Sequence, residues 1–136
     1  MHQKNKTITI IWQRLISDGS TCPRCGSTEE NLDKAVLELK DRLKLYGIRI
    51  ILEKRELTLK EFKKDSIQSN SILFEGIPLE ELVSATVGQS KCCDVCGSAE
   101  CRTVETKDNL YETIPIDLIV RAGLITVFDK FNINLL

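Results

Sequence analysis

The residues of this chain best suited to chemistry are its six cysteines, which stand in two groups. Cys22 and Cys25 enclose Pro23 and Arg24, while Cys92, Cys93, Cys96 and Cys101 crowd together much further along. A thiolate attacks disulfides and binds soft metals; the neutral thiol does neither well. The two intervening residues let the sulfurs of the first pair meet, and Pro23 stiffens the turn between them. Arg24 adds a full positive charge, which favours ionised sulfur. Cys22 is assigned as the nucleophile, because the amino-terminal sulfur of such a pair is usually the exposed one. Cys25 is the resolving thiol. None of the six lies inside a periodic apolar stretch, so none reads as core filler.

The second group offers four soft ligands on one loop, suited to zinc, Cu(I) or an iron–sulfur cluster. Neighbouring cysteines rarely ligate the same ion comfortably, so Cys93, Cys96 and Cys101 are favoured over Cys92. Three uses stay open. A disulfide can pass from Cys22–Cys25 to Cys93–Cys96 through a mixed disulfide. Both groups can share one multi-thiolate metal site, or Cys92, Cys93, Cys96 and Cys101 can hold a structural zinc of their own. A closed zinc ribbon built from the two Cys-x-x-Cys halves is a further alternative. Against it, residues 26–91 between the halves carry the patterning of helices and strands.

Other chemistries find little footing. His2, the single histidine, stands beside the terminus, which removes histidine acid–base catalysis. No glycine-rich phosphate loop occurs. Nineteen basic and twenty acidic residues give a net charge of −1 without a basic cluster, so nucleic acid is not an expected partner. No apolar run approaches the ~20 residues of a membrane span, so none is expected in a bilayer. The opening residues lack the pattern of a signal peptide, which leads to an expected cytoplasmic location, where structural disulfides are rare. Glu80 and Glu81 read as stabilising a helix start, Trp12 as core or pocket wall, and Tyr46 and Tyr111 as packing residues.

The elements that must hold the first pair are legible around it. At 136 residues, 42% hydrophobic and 29% charged, the chain has the length and composition of one globular domain over 1–136. Thr7 to Trp12 is β-branched and almost continuously apolar, a strand buried on both faces. Ser27 and Glu30 form a capping box for a helix whose stripe runs through Leu32, Ala35, Val36, Leu39, Leu43 and Tyr46, ended by Gly47. Ile48 to Leu52 is a second strand, and strand–helix–strand with short connections makes a parallel βαβ unit. Leu57 to Asp65 forms a short helix with Leu59 and Phe62 inward, Ser71 to Glu75 a third strand, and Pro78 opens a helical turn to Val83. Residues 84–101 read as an irregular cysteine-rich loop. Arg102–Thr106 and Leu110–Thr113 pair as a hairpin, and Pro115 opens a last helix interrupted at Gly123. The tail, 128–136, has no assigned structure.

A Cys-x-x-Cys between the first strand and first helix of a βαβ unit is the placement of thiol redox proteins. On that order of elements, and on Ile72-Leu73-Phe74-Glu75-Gly76, the chain resembles the thioredoxin and glutaredoxin superfamily. On Cys22-Pro23-Arg24-Cys25-Gly26-Ser27, Pro78-Leu79-Glu80 and Cys92-Cys93-Asp94-Val95-Cys96-Gly97 it is similar to a prokaryotic family of thioredoxin-like proteins known as a domain of unknown function. The resemblance implies an α/β fold, a thioredoxin-like βαβ…ββα three-layer sandwich with the cysteine-rich loop inserted. Two departures stand out. With the capping box at Ser27, both thiols precede the helix. Where thioredoxins have a cis-proline before the third strand, this chain has Asn70, expected with a trans bond and an open face over the sulfurs. The expected activity is thiol–disulfide exchange with protein or small-molecule disulfides. The alternative is non-enzymatic binding of zinc or another thiophilic metal through both cysteine groups.

Overall fold

A computed structural model describes residues 6–15, 23–64, 69–91 and 100–135. The side chains of residues 23–26, 59, 62–63, 89–91 and 100–101 are not described. Strand β1 (Lys6–Leu15) leads through residues 16–22 into helix α1 (Pro23–Leu43), then a 3-10 turn over Lys44–Tyr46 and strand β2 (Ile48–Leu57). Helix α2 (Leu59–Lys64), strand β3 (Ser71–Phe74), strand β4 (Ile77–Pro78) and helix α3 (Leu79–Leu82) follow. Strands β5 (Thr86–Lys91), β6 (Glu100–Glu105) and β7 (Leu110–Tyr111) precede helix α4 (Ile116–Phe131). The fold is mixed α/β, with a four-stranded sheet of order β2-β1-β3-β4 and a three-stranded sheet of order β5-β6-β7.

The βαβ expectation holds in its pairing: β1 and β2 run parallel from Lys6↔Ile48 to Leu15↔Leu57. β3 lies antiparallel on the other side of β1, so β1 is central. Its residues Ile8, Ile10 and Trp12 point to one face and are fully buried there, under Leu32, Leu39 and Leu43 of α1 and Ile119 and Val127 of α4. Burying one such side chain contributes about 1.5–3 kcal/mol, so this single cluster dominates the stability of the fold. The other face is covered less. Thr9 and Ile11 are half-buried, and Arg49, Ile51 and Glu53 on the same side of β2 are exposed. The expected burial of β1 on both faces is therefore corrected over Thr7 to Gln13, although Leu15 and its pairing partner Leu57 on that second face are buried; α1 and α4 share the first face.

Four local readings also change. α1 begins at Pro23 rather than at Ser27, because proline's fixed φ and missing N–H suit the first helical position. Tyr46 leaves the apolar stripe and is 43% exposed, because the last turn tightens to 3-10 before Gly47 takes φ 69. β2 continues five residues beyond Leu52 along β1. The segment 84–101 is no plain loop, since β5 and β6 pair from Thr86↔Glu105 to Lys91↔Glu100. The expected hairpin between β6 and β7 is present, through Val104↔Tyr111 and Glu105↔Leu110.

α4 runs unbroken through Gly123. A Cβ there would sit 2.6 Å from Leu39 Cδ1, so glycine is what lets α4 approach α1 so closely. The expected tail is partly helix: Phe128 to Phe131 complete α4, and Asn132 caps it at φ 58. No helix among the described residues is long and apolar enough to cross a membrane. The inward positions expected for Leu59 and Phe62 lie outside the described residues.

Candidate functional site

The first cysteine pair falls where β1 hands over to α1. Cys25 is the third residue of α1, so its backbone belongs to the first helical turn, and Cys22 immediately precedes the helix in sequence. The expectation that both thiols precede the helix is thus corrected for Cys25. A helix start carries unpaired amide donors and partial positive charge, which favour an anion near it. No acidic residue occupies the first turn of α1 to compete for that field. Cys22 itself and the side chain of Cys25 lie outside the described residues.

A buried polar network fastens the start of α1 to its surroundings. The Trp12 indole N–H donates to Asn70 Oδ1 at 3.1 Å, and Asn70 Nδ2 donates to Thr28 Oγ1, also at 3.1 Å. Thr28, one turn beyond Cys25, accepts a second bond from the Ile114 amide at 3.2 Å. Asn31 Nδ2 donates to the Ile114 carbonyl at 3.0 Å, and the Leu15 amide donates to Ser69 Oγ at 3.0 Å. These bonds join the carboxyl end of β1, the second and third turns of α1, the turn before β3 and the approach to α4. In a low-dielectric interior such bonds are strong when complete and costly when broken, so the network anchors α1 at Thr28 and Asn31.

Asn70 stands where the resemblance places a cis-proline. Among the described residues no peptide bond is cis, as expected for asparagine, and Asn70 instead takes φ 61. Asparagine tolerates this left-handed conformation better than most residues. The expected open face over the sulfurs lies outside the described residues.

Arg14 adds charge on the same face of β1 as Trp12. Its guanidinium lies 4.8 Å from the centre of the Trp12 ring, and its buried Nη1 has no hydrogen-bond partner among the described residues. A desolvated donor of this kind suits a thiolate or carboxylate. Sequence reasoning missed Arg14 and Thr28, and saw Asn70 only as a missing proline; their roles arise from partners up to 86 positions away.

Of the second group, Cys101 lies in β6 opposite Ser90, its side chain not described. Cys92, Cys93 and Cys96 fall in 92–99, outside the described residues, as does the question of whether the two groups meet. Among the described residues no cluster of three histidine, cysteine or carboxylate side chains is placed to hold a metal. Glu80, read as a helix-start carboxylate, forms a largely buried ion pair with Arg102 of β6 and ties the second sheet to α3.

Residues 8–123 match the family described as a domain of unknown function (DUF2703). An uncharacterized protein of Archaeoglobus fulgidus is 43% identical over 112 residues, covering 82% of each chain. The chain belongs to the DUF2703 family. No solved structure matches it.

Proposed function

We propose that this protein is a thioredoxin-like thiol–disulfide redox protein acting through Cys22 and Cys25. One observation carries the reading: the motif opens α1 at the first junction of a parallel βαβ unit, the placement associated with thiol redox chemistry. The helix start lowers the cost of a sulfur anion. Arg14, at the carboxyl end of the strand leading into the motif, offers a further cation for the thiolate or for an anionic group of the partner.

The exchange runs in two displacements. The Cys22 thiolate attacks one sulfur of a partner disulfide, forming a mixed disulfide and expelling the other sulfur as a thiolate, which takes a proton from solvent. Cys25, as thiolate, then attacks the Cys22 sulfur. A Cys22–Cys25 disulfide forms, the second partner thiolate leaves, and two electrons have passed to the partner. With a small chromogenic disulfide, Cys22→Ser abolishes exchange, and Cys25→Ser retains the first displacement and accumulates the mixed disulfide. An unchanged rate in Cys22→Ser would refute the proposal.

A second reading applies to Cys92, Cys93, Cys96 and Cys101. The β5–β6 ladder ends at Lys91↔Glu100, and Cys92, Cys93 and Cys96 lie in sequence between those two residues, with Cys101 next after Glu100. Closely spaced thiolates of this kind suit zinc or another thiophilic metal. Protein purified without chelator then contains metal that Cys96→Ser releases. Tightly held metal together with unreactive Cys22 and Cys25 would favour a non-enzymatic metal-binding protein instead.

A further inference from the structure

We propose that the exposed edge of β2 binds a second copy of this chain, antiparallel, across a twofold axis through Ile51. β2 ends the four-stranded sheet, and among the described residues no strand pairs with its outer edge. At ten residues it is long for an edge strand, and an edge left unpaired among the described residues invites another strand.

The pattern of β2 suits a second copy in this register. With Ile51 opposite its own copy, Arg49 faces the partner's Glu53 and Glu53 faces the partner's Arg49. Ile50 and Leu52 then meet each other twice on the core side. Moving the axis to Leu52 sets Arg49 against Arg55, and moving it to Glu53 sets that carboxylate against itself; like charges directly opposite are unfavourable. Ile51 is 48% exposed, more than a half-buried strand position, and pairing would cover it. Glu53 now holds only a loose ion pair with Arg55, 3.8 Å apart with both side chains about half exposed, which exchange readily displaces.

α1 repeats the pattern independently. Lys54 of β2 bonds Glu29 at 2.8 Å and Asp33 at 3.1 Å, which places those carboxylates on the side of α1 facing the edge. Towards the other end of the strand, Lys40 and Lys44 border one groove with Ile48 and Arg49. Leu37 lies between these two ends at helical spacing and is 64% exposed. The stripe therefore runs from acidic through apolar to basic, with Lys54 offsetting one of the two carboxylates. An antiparallel copy sets the acidic end against the basic end and Leu37 near its own copy. Such self-complementarity is what a twofold interface requires.

Sedimentation velocity of the full chain, in excess reductant and chelator, excludes disulfide or metal bridging as the cause of association. A species of about twice 15.4 kDa is expected, dissociating on dilution. Ile51→Lys and Arg49→Glu each weaken association at least tenfold, with unchanged far-UV circular dichroism. Combining Arg49→Glu with Glu53→Arg restores most of it. A monomer throughout the accessible concentration range, or a dimer indifferent to these substitutions, would overturn the proposal.

Discussion

At Asn70 a left-handed backbone, a buried side chain and two hydrogen bonds coincide. Asn70→Ala leaves the Trp12 indole N–H without its acceptor and puts alanine at positive φ. Together these should lower unfolding stability by about 2–4 kcal/mol, read by urea denaturation, with a shifted Trp12 emission in the native state. A loss below about 0.5 kcal/mol would mean that the network does not hold this junction. Glu75 makes a separate, pH-dependent contribution. Burial pushes its carboxyl up, but bonds from Lys130 and the Thr9 amide and the Lys130 charge outweigh that and hold it below the usual range. A carboxyl depressed by folding stabilises fully above its unfolded value of about 4.3, and the effect disappears as pH falls through the lower folded value. Glu75→Gln should therefore lower stability by about 0.5–1 kcal/mol near neutrality, with the gap to wild type closing on acidification towards pH 3. A gap constant with pH would remove the ion pair from the account.

Among the elements, the packing of α1 on α4 is the most exposed to test. Gly123→Ala gains helix propensity worth up to about 1 kcal/mol, but its Cβ meets Leu39 at 2.6 and 2.9 Å in a close-packed core. Overpacking of this kind typically costs about 1–3 kcal/mol, so net destabilisation is expected in thermal unfolding. Combined with Leu39→Ala, which removes the clashing atoms, the alanine should add no further loss. The same helices show what the sequence could and could not reveal. The stripe through Leu32, Ala35, Val36, Leu39 and Leu43 was plain, because helical spacing is a local signal. The start of α1 was misread because Ser27 and Glu30 match a capping box, although Pro23 is the stronger marker. A working box instead opens α2, where the Thr58 amide donates to Glu61 and the Glu61 amide donates to Thr58 Oγ1. β5 escaped notice because Thr86-Val87-Gly88-Gln89-Ser90-Lys91 has almost no apolar alternation; its partner in β6 gives it order.

Across the whole molecule, a central strand paired on both sides supports the mouth of α1, and a second sheet is fastened through Val104 and the Arg102–Glu80 pair. The βαβ unit and its cysteine motif were legible because both are contiguous in sequence. The polar network was not, since Trp12, Thr28, Asn70 and Ile114 are neighbours only after folding. The uneven burial of the two sheet faces was hidden for a related reason: Ile11 and Ile51 are as apolar as Ile8 and Ile48, and the shared placement of α1 and α4 covers the latter pair. The central claim is that the cysteine pair cycles between dithiol and disulfide. The most direct measurement is peptide mapping after equilibration in glutathione buffers of graded potential. A Cys22–Cys25 linkage should appear reversibly, with a midpoint between about −270 and −120 mV, the span of known thiol redox proteins. Separate glutathione adducts on Cys22 and Cys25, with no linkage at any potential, would contradict the claim.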